Sequence, residues 1–227
     1  VAPRGSRSRP TKRRPEPPDL PDDPAPAPVA VEGGELWDCV EAGAEVHVPE
    51  RVADLRIQES RWVGGSLAGV RFTGLECRDV EFAHCDLSGA RLEEAVLTRV
   101  VFTDCRLTGT AFDGAQLTDV RITDSTADLA GFRMTKARFL LVENTSLHGA
   151  DFYDFDGEHC ALLGCDLAEA SFDTARLRET DLHGSTVDDV RGALSLRGTR
   201  ISPDQIVPLA SGLLDALGIE VTERPPN

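Results

Sequence analysis

Broken every five residues, positions 85–119 read CDLSG ARLEE AVLTR VVFTD CRLTG TAFDG AQLTD. The third place of each unit is large and apolar: Leu87, Leu92, Leu97, Phe102, Leu107, Phe112 and Leu117. The first place is small, as at Cys85, Ala90, Ala95 and Ala115, and Gly89, Gly109 and Gly114 close three of the units. Outward from this stretch the same frame reaches back through Phe82, Cys77, Phe72, Leu67 and Trp62 to Ile57. Forward it resumes at Leu147, Phe152, Gly157, Leu162, Leu167, Phe172, Leu177, Leu182 and Val187.

A period of five matches neither an amphipathic helix nor a simple alternating strand. It matches a short extended segment followed by a turn. Residues two apart in an extended segment share a face, so the small residue and the bulky centre both point inward. The recurring glycine then supplies the positive backbone angle that a tight turn needs. Each unit is one side of a coil. Phe72, Phe112, Phe132, Phe152 and Phe172 fall in phase at twenty residues, and Leu92 fills the gap in that ladder. Phe82, Phe102 and Trp62 lie ten residues out of phase, on the opposite side. A fifteen-residue coil would scatter these rings over three faces, so four sides per coil is the better fit. The frame from Val52 to Val187 holds 28 centres, or seven coils. At parallel-strand spacing that is a rod roughly 34 Å long.

The pattern resembles the pentapeptide-repeat family, whose consensus is Ala-(Asp/Asn)-Leu-x-x. The resemblance covers about residues 50–192. It implies an all-β fold, a right-handed quadrilateral parallel β-helix, here with a C-terminal capping α-helix. Cys85, Cys105, Ser125, Thr145, Cys165 and Ser185 then form one column, which accounts for cysteines as packing. At Leu75/Cys77 and Phe155/Gly157 the large residue has moved to the small position while the centre has shrunk, keeping the volume a close-packed interior requires. Near Ser125-Thr126 a two-residue bulge is expected, because reading Ala127-Asp128-Leu129-Ala130-Gly131 as a unit buries Leu129, Met134 and Phe139. In the unshifted frame those side chains and Leu141 point outward as an apolar partner site.

The flanks differ from the repeats. Residues 1–32 hold nine of the fourteen prolines, with Arg4, Arg7, Arg9, Lys12, Arg13 and Arg14 crowded together. With so little to bury, this segment is expected to form a disordered or extended basic, proline-rich tail, the one place suited to nucleic acid. Residues 33–50, with Leu36, Trp37 and Val40, are expected to cap the first coil of a helix over 51–192, since open solenoid ends need covers. In the C-terminal cap, 193–227, Ser202-Pro203-Asp204-Gln205 reads as a capping box with proline at the first helical position. A helix over about 203–217 follows, with Ile206, Leu209, Leu213 and Leu217 on one stripe and Gly218 ending it. Family members of this type often dimerise through this end, and the same stripe is the expected dimer surface.

The 227 residues carry a net charge of −15, 41% hydrophobic residues and only 5% aromatics. That balance excludes a whole-chain nucleic-acid binder. No apolar run approaches the roughly 20 residues of a membrane span, and no export signal opens the chain, so a cytoplasmic protein is expected. The six cysteines lack CxxC pairing, the histidines fall on different coils, and Asp154-Phe155-Asp156-Gly157 is only half of a calcium loop. No catalytic residue, metal, cofactor or small-molecule substrate is expected.

Charge is uneven along the repeats. Residues 51–150 are nearly balanced, whereas 151–190 carry a net −9. Two coils spanning about 10 Å thus approach the linear charge density of duplex DNA, one per ~1.7 Å. The quinolone-resistance members of the family are acidic, dimeric rods that bind DNA gyrase where DNA would bind. That resemblance implies a topoisomerase-binding DNA mimic presenting Asp151, Asp154, Asp156, Glu158, Asp166, Glu169 and Asp173 to a basic saddle. The arginines of the first coils and the basic tail depart from that pattern. A generic scaffold for an unrelated protein partner is the competing reading.

Overall fold

The computed structural model describes residues 14–221. They form a parallel β-solenoid of about seven turns with one C-terminal helix. Along the rod, strands pair with the segment twenty residues on. Arg56–Val63 pairs with Glu76–Ala83, then Val96–Thr103, Gln116–Thr123 and Lys136–Glu143 follow in the same register. The ladder continues through Asp156–Glu158 and Arg176–Arg178. Single bridges of the same spacing, such as Asp86 with Arg106 and Arg91 with Ala111, join the remaining two sides. Four sides result. The centres of the first run from Ile57 to Leu177, of the second from Trp62 to Leu182, of the third from Leu67 to Val187, and of the fourth from Val52 to Phe172.

The five-residue beat makes the corners. Many of the turns are hydrogen-bonded from the next unit's first amide back to the centre's carbonyl, as from Ala90 to Leu87 (2.9 Å) across Gly89 at φ 66° and from Ala95 to Leu92 (3.2 Å) across Glu94 at φ 60°. The same fifth place holds every non-glycine residue of left-handed backbone among the described residues, Asp79, Asp119, Leu129 and Met134 among them. Inside, centres stack on centres. Phe112, Phe132, Phe152 and Phe172 lie nearly parallel with centroids 5.1, 5.0 and 4.8 Å apart. On the second side Trp62, Phe82 and Phe102 stack likewise. Phe155 packs edge-on against Phe152, and a Cβ on Gly157 would stand 2.6 Å from the Phe155 ring. That contact is why the displaced phenylalanine needs glycine two residues later.

The bulge expected near Ser125-Thr126 does not form. Ala127, Phe132, Ala137 and Val142 keep the strict frame and are buried, while Leu129 and Met134 are 66% and 53% exposed. Slipping by two residues would break a ladder running unshifted from Gln116↔Lys136 to Thr123↔Glu143 and pull Phe132 out of its stack. Those losses outweigh the burial of two side chains.

The N-terminal flank is also more ordered than its composition suggests. Residues 15–21 run along the solenoid, the chain bends at 22–23, Ala25–Pro26 pairs in parallel with Val40–Glu41, and Ala30 bridges to His47. The described part of the expected tail is therefore structure; the cluster Arg4–Arg13 lies outside the described residues. Residues 36–43 are not a lid but an early coil, since Trp37 pairs with Ile57 and Ala42 with Trp62. Trp37 stacks on Trp62 at 5.4 Å, and residues 25–31 close the end above it.

At the other end, a short 3-10 turn (Pro203–Gln205) leads into α1 (Ile206–Ala216). The Gln205 side chain accepts from the Ser202 amide (2.7 Å). Its amide group donates to the carbonyls of Leu182 (2.7 Å) and Ser185 (2.6 Å). The expected apolar stripe is turned: of Ile206, Leu209, Leu213 and Leu217, only Leu209 is buried, and the other three are exposed. Gln205 takes the inward place because a terminal coil has open carbonyls that leucine cannot satisfy.

Candidate acidic interface

The seven acidic residues that the family resemblance implies as an interface do not share one surface. Asp151 and Asp173 flank the fourth side, Asp156 and Glu158 the first, and Asp166 lies on the third. Asp154 and Glu169 occupy corners. Arginines from neighbouring coils hold four of them: Arg133 at 3.0 Å from Asp151, Arg176 at 4.0 Å from Asp154, Arg178 at 2.9 Å from Asp156 and Arg138 at 3.6 Å from Glu158. A twenty-residue coil stacks positions n and n+20, and sequence order hides that juxtaposition. Glu169 faces His148 at 3.9 Å, Asp173 accepts from the Ser171 hydroxyl, and Asp166 accepts from the Ala168 amide.

One side keeps its charge. From residue 126 onward the outward places of the third side are Thr126, Asp128, Leu129, Ser146, His148, Gly149, Asp166, Ala168, Glu169, Thr186, Asp188 and Asp189. Five carboxylates stand there with neither Lys nor Arg among them. Asp128 lies outside the acidic stretch 151–190, and Asp188 and Asp189 lie inside it but are not among the residues named for the interface; only the column brings the three together with Asp166 and Glu169. Asp128 is held in place by the Ser146 hydroxyl and the His148 amide (3.3 Å).

Nucleophile-like groups are buried or scattered. Burial pushes the thiols of Cys77 and Cys160 up to about 12 and that of Cys165 to about 11. Column neighbours hydrogen-bond instead: the Cys105 amide donates to the Ser125 hydroxyl and the Cys165 amide to that of Ser185, both at 3.0 Å. His84, His148 and His159 face carboxylates one coil on, and His183 pairs with Asp181 in its own unit. Asp38, Cys39 and Glu59 bring three metal-capable atoms within 4.8 Å at the surface near the N-terminal end. Phe155 and Gly157 of the half calcium loop are built into the core. Among the described residues no helix is long and apolar enough to cross a membrane.

Two family descriptions match the chain: a pentapeptide repeat region at residues 55–132 and 95–172, and pentapeptide repeats (8 copies) at 158–191. The first alone spans more than half of the sequence. The chain belongs to the pentapeptide-repeat family. Solved pentapeptide-repeat neighbours include full-length QnrB1, a plasmid-mediated fluoroquinolone resistance protein, at 18% identity and TM-score 0.34, covering 82% of this chain and 99% of that one. HetL, involved in heterocyst differentiation regulation in the cyanobacterium Nostoc sp., is 15% identical with TM-score 0.34, covering 70% and 86%. Rfr23 from the cyanobacterium Cyanothece is 11% identical with TM-score 0.28, covering 63% and 90%. No curated protein matches the sequence.

Proposed function

We propose that this pentapeptide-repeat scaffold binds a basic, DNA-binding protein surface, that of DNA gyrase or a related topoisomerase, through the acidic third side of its C-terminal coils. The observation that carries the reading is the column Asp128, Asp166, Glu169, Asp188 and Asp189, whose outward neighbours on that side from residue 126 onward include neither Lys nor Arg among the described residues. Five carboxylates over the three coil steps from Asp128 to Asp189, about 14 Å along a rigid rod, offer a basic saddle roughly one charge per 3 Å, the order of a single DNA strand. The rod itself contributes no reaction; it works by occupancy. Pairing of two copies through the exposed Ile206, Leu213 and Leu217 face would set the two acidic ends together at the centre of a longer rod.

The test is a gyrase supercoiling assay with purified full-length protein. Inhibition at low micromolar concentration is expected, reduced at least tenfold when Asp166, Glu169, Asp188 and Asp189 become Ala. Replacing the arginine-paired Asp151, Asp154 and Asp156 should matter far less. No inhibition at tens of micromolar sinks the gyrase reading. It leaves a scaffold for an unrelated partner, which the arginine-paired carboxylates of the other sides support.

A further inference from the structure

The frame assigns Asp79, Asp119 and Phe139 to the corner between the first and second sides, and Leu141 to the second side next to it, all pointing away from the core. Yet they are only 3%, 5%, 7% and 5% exposed. What runs over this edge is the chain's own N-terminal segment. The Glu16 amide donates to the Asp119 carboxylate (2.9 Å) and the Asp19 amide to that of Asp79 (3.0 Å). Arg121 donates to the Pro15 carbonyl (2.6 Å) and Arg61 to that of Pro21 (2.8 Å). Pro15 is buried, and it lines a cleft of about 200 Å³ with Leu141, His159 and Leu163.

The spacing is the informative part. Asp119 and Asp79 are two coils apart, about 9.6 Å. Glu16 and Asp19 are three residues apart, and one turn of polyproline II advances about 9.3 Å. Between them stand Pro17 and Pro18, which hold that conformation and have no amide of their own to satisfy. The edge thus reads main chain, not side chains: two acceptors at a fixed interval that suits the sequence x-Pro-Pro-x in an extended helix of three residues per turn. The Asp79 acceptor is held in position by a two-pronged contact with the Arg99 guanidinium, both contacts at 2.5 Å.

We propose that this edge is a docking groove for an extended proline-rich segment of the form x-Pro-Pro-x, and that residues 15–21 are its ligand, held in cis. Few of the segment's own side chains are buried: Pro15 is enclosed, Leu20 is half-buried, and Glu16, Pro17 and Asp19 remain exposed, while beneath it Phe139 and Leu141 are covered. When the segment lifts, both carboxylates gain water. Occupancy is therefore exchangeable, and a partner carrying the same motif would compete for the groove. This inference is independent of the acidic third side.

The test uses a fluorescent peptide of residues 14–22 and the full-length protein. Glu16→Pro with Asp19→Pro removes both amide donors without touching the solenoid, and circular dichroism checks that the rod stays folded. The peptide should bind this double variant at least tenfold more tightly than wild type, whose groove is filled by a tethered segment at high effective concentration. A control peptide carrying the same two prolines should bind neither. Equal binding to both proteins, equal binding of both peptides, or no binding to the variant at millimolar peptide overturns the proposal. Amide exchange gives a second measure in the unmodified chain: Glu16 and Asp19 should be protected at least tenfold, and unprotected amides reject it.

Discussion

Asp79 condenses several consequences of the pentapeptide beat into one side chain. It stands at a corner with φ 55°, a conformation that costs an L-residue about 1 kcal/mol, and short polar residues bear it best. Burial pushes its carboxyl up, but the paired Arg99 guanidinium and the Asp19 amide pull harder, and the net shift is below the ordinary carboxylate range. A depressed folded value means that the stabilisation is complete above the unfolded value near 4 and is lost as pH falls through the folded one. Asp79→Asn should therefore cost about 1–3 kcal/mol at neutral pH, with the gap to wild type narrowing as pH falls below the unfolded value near 4. Chemical denaturation at several pH values measures it, and a difference that does not shrink as pH falls below about 4 would refute the assignment. Asp79 had no distinguishing sign in the sequence, because its partner is twenty residues on and its cover sixty residues back.

At the scale of elements, one donor rule recurs. Side chains in the first place of a unit reach the carbonyl twenty-three residues earlier: Thr110 to Leu87 (2.8 Å), Thr135 to Phe112 (2.7 Å) and Ser185 to Leu162 (2.9 Å). Gln205 obeys it too, twenty residues beyond Ser185, bonding the Leu182 carbonyl although it belongs to the cap. The C-terminal turn is thus an eighth visit to the same column with a longer donor. Gln205→Ala leaves the Ser185 carbonyl without its donor and the Leu182 carbonyl with the Ser185 amide alone (3.2 Å), and should cost about 1–3 kcal/mol. Hydrogen exchange should then accelerate first in residues 181–187; uniform loosening of the whole rod would contradict this picture. The capping box was legible from Ser202 and Gln205, and so was the helix. Which helix face turns inward was not, since the last coil asked for amide hydrogens where the apolar pattern offered leucine. The same limit applied to Leu129 and Met134, whose burial was expected from hydrophobicity alone. Register is a property of seven stacked coils, and a local gain of two buried side chains cannot move it.

For the whole molecule, the arrangement of charge matters more than its sum. Stacking neutralises the first and fourth sides by setting arginine against carboxylate in adjacent coils, and leaves the third side acidic. The exposed face of α1 bears on assembly. If two copies meet through it, sedimentation should give a dimer at tens of micromolar, and Leu213→Glu with Leu217→Glu should return a monomer without loss of helix or Tm. A wild-type monomer at that concentration would exclude pairing by this end. The N-terminal segment spans the rod in the opposite direction, tying residues 15–21 to coils reached as late as residue 121.

By itself the sequence determined the square coil, its twenty-residue rise, the stacked aromatic columns and the place of the cap. Each of these follows from a period repeated more than twenty times, so that every unit reinforces its neighbours' register. Tertiary structure alone decided which carboxylates are paired, which helix face is buried and where the proline-rich segment lies. Those outcomes depend on contacts between residues 20 to about 100 apart in the chain. No local pattern of polarity specifies such contacts, because a side chain pointing outward carries no mark of what will pass over it.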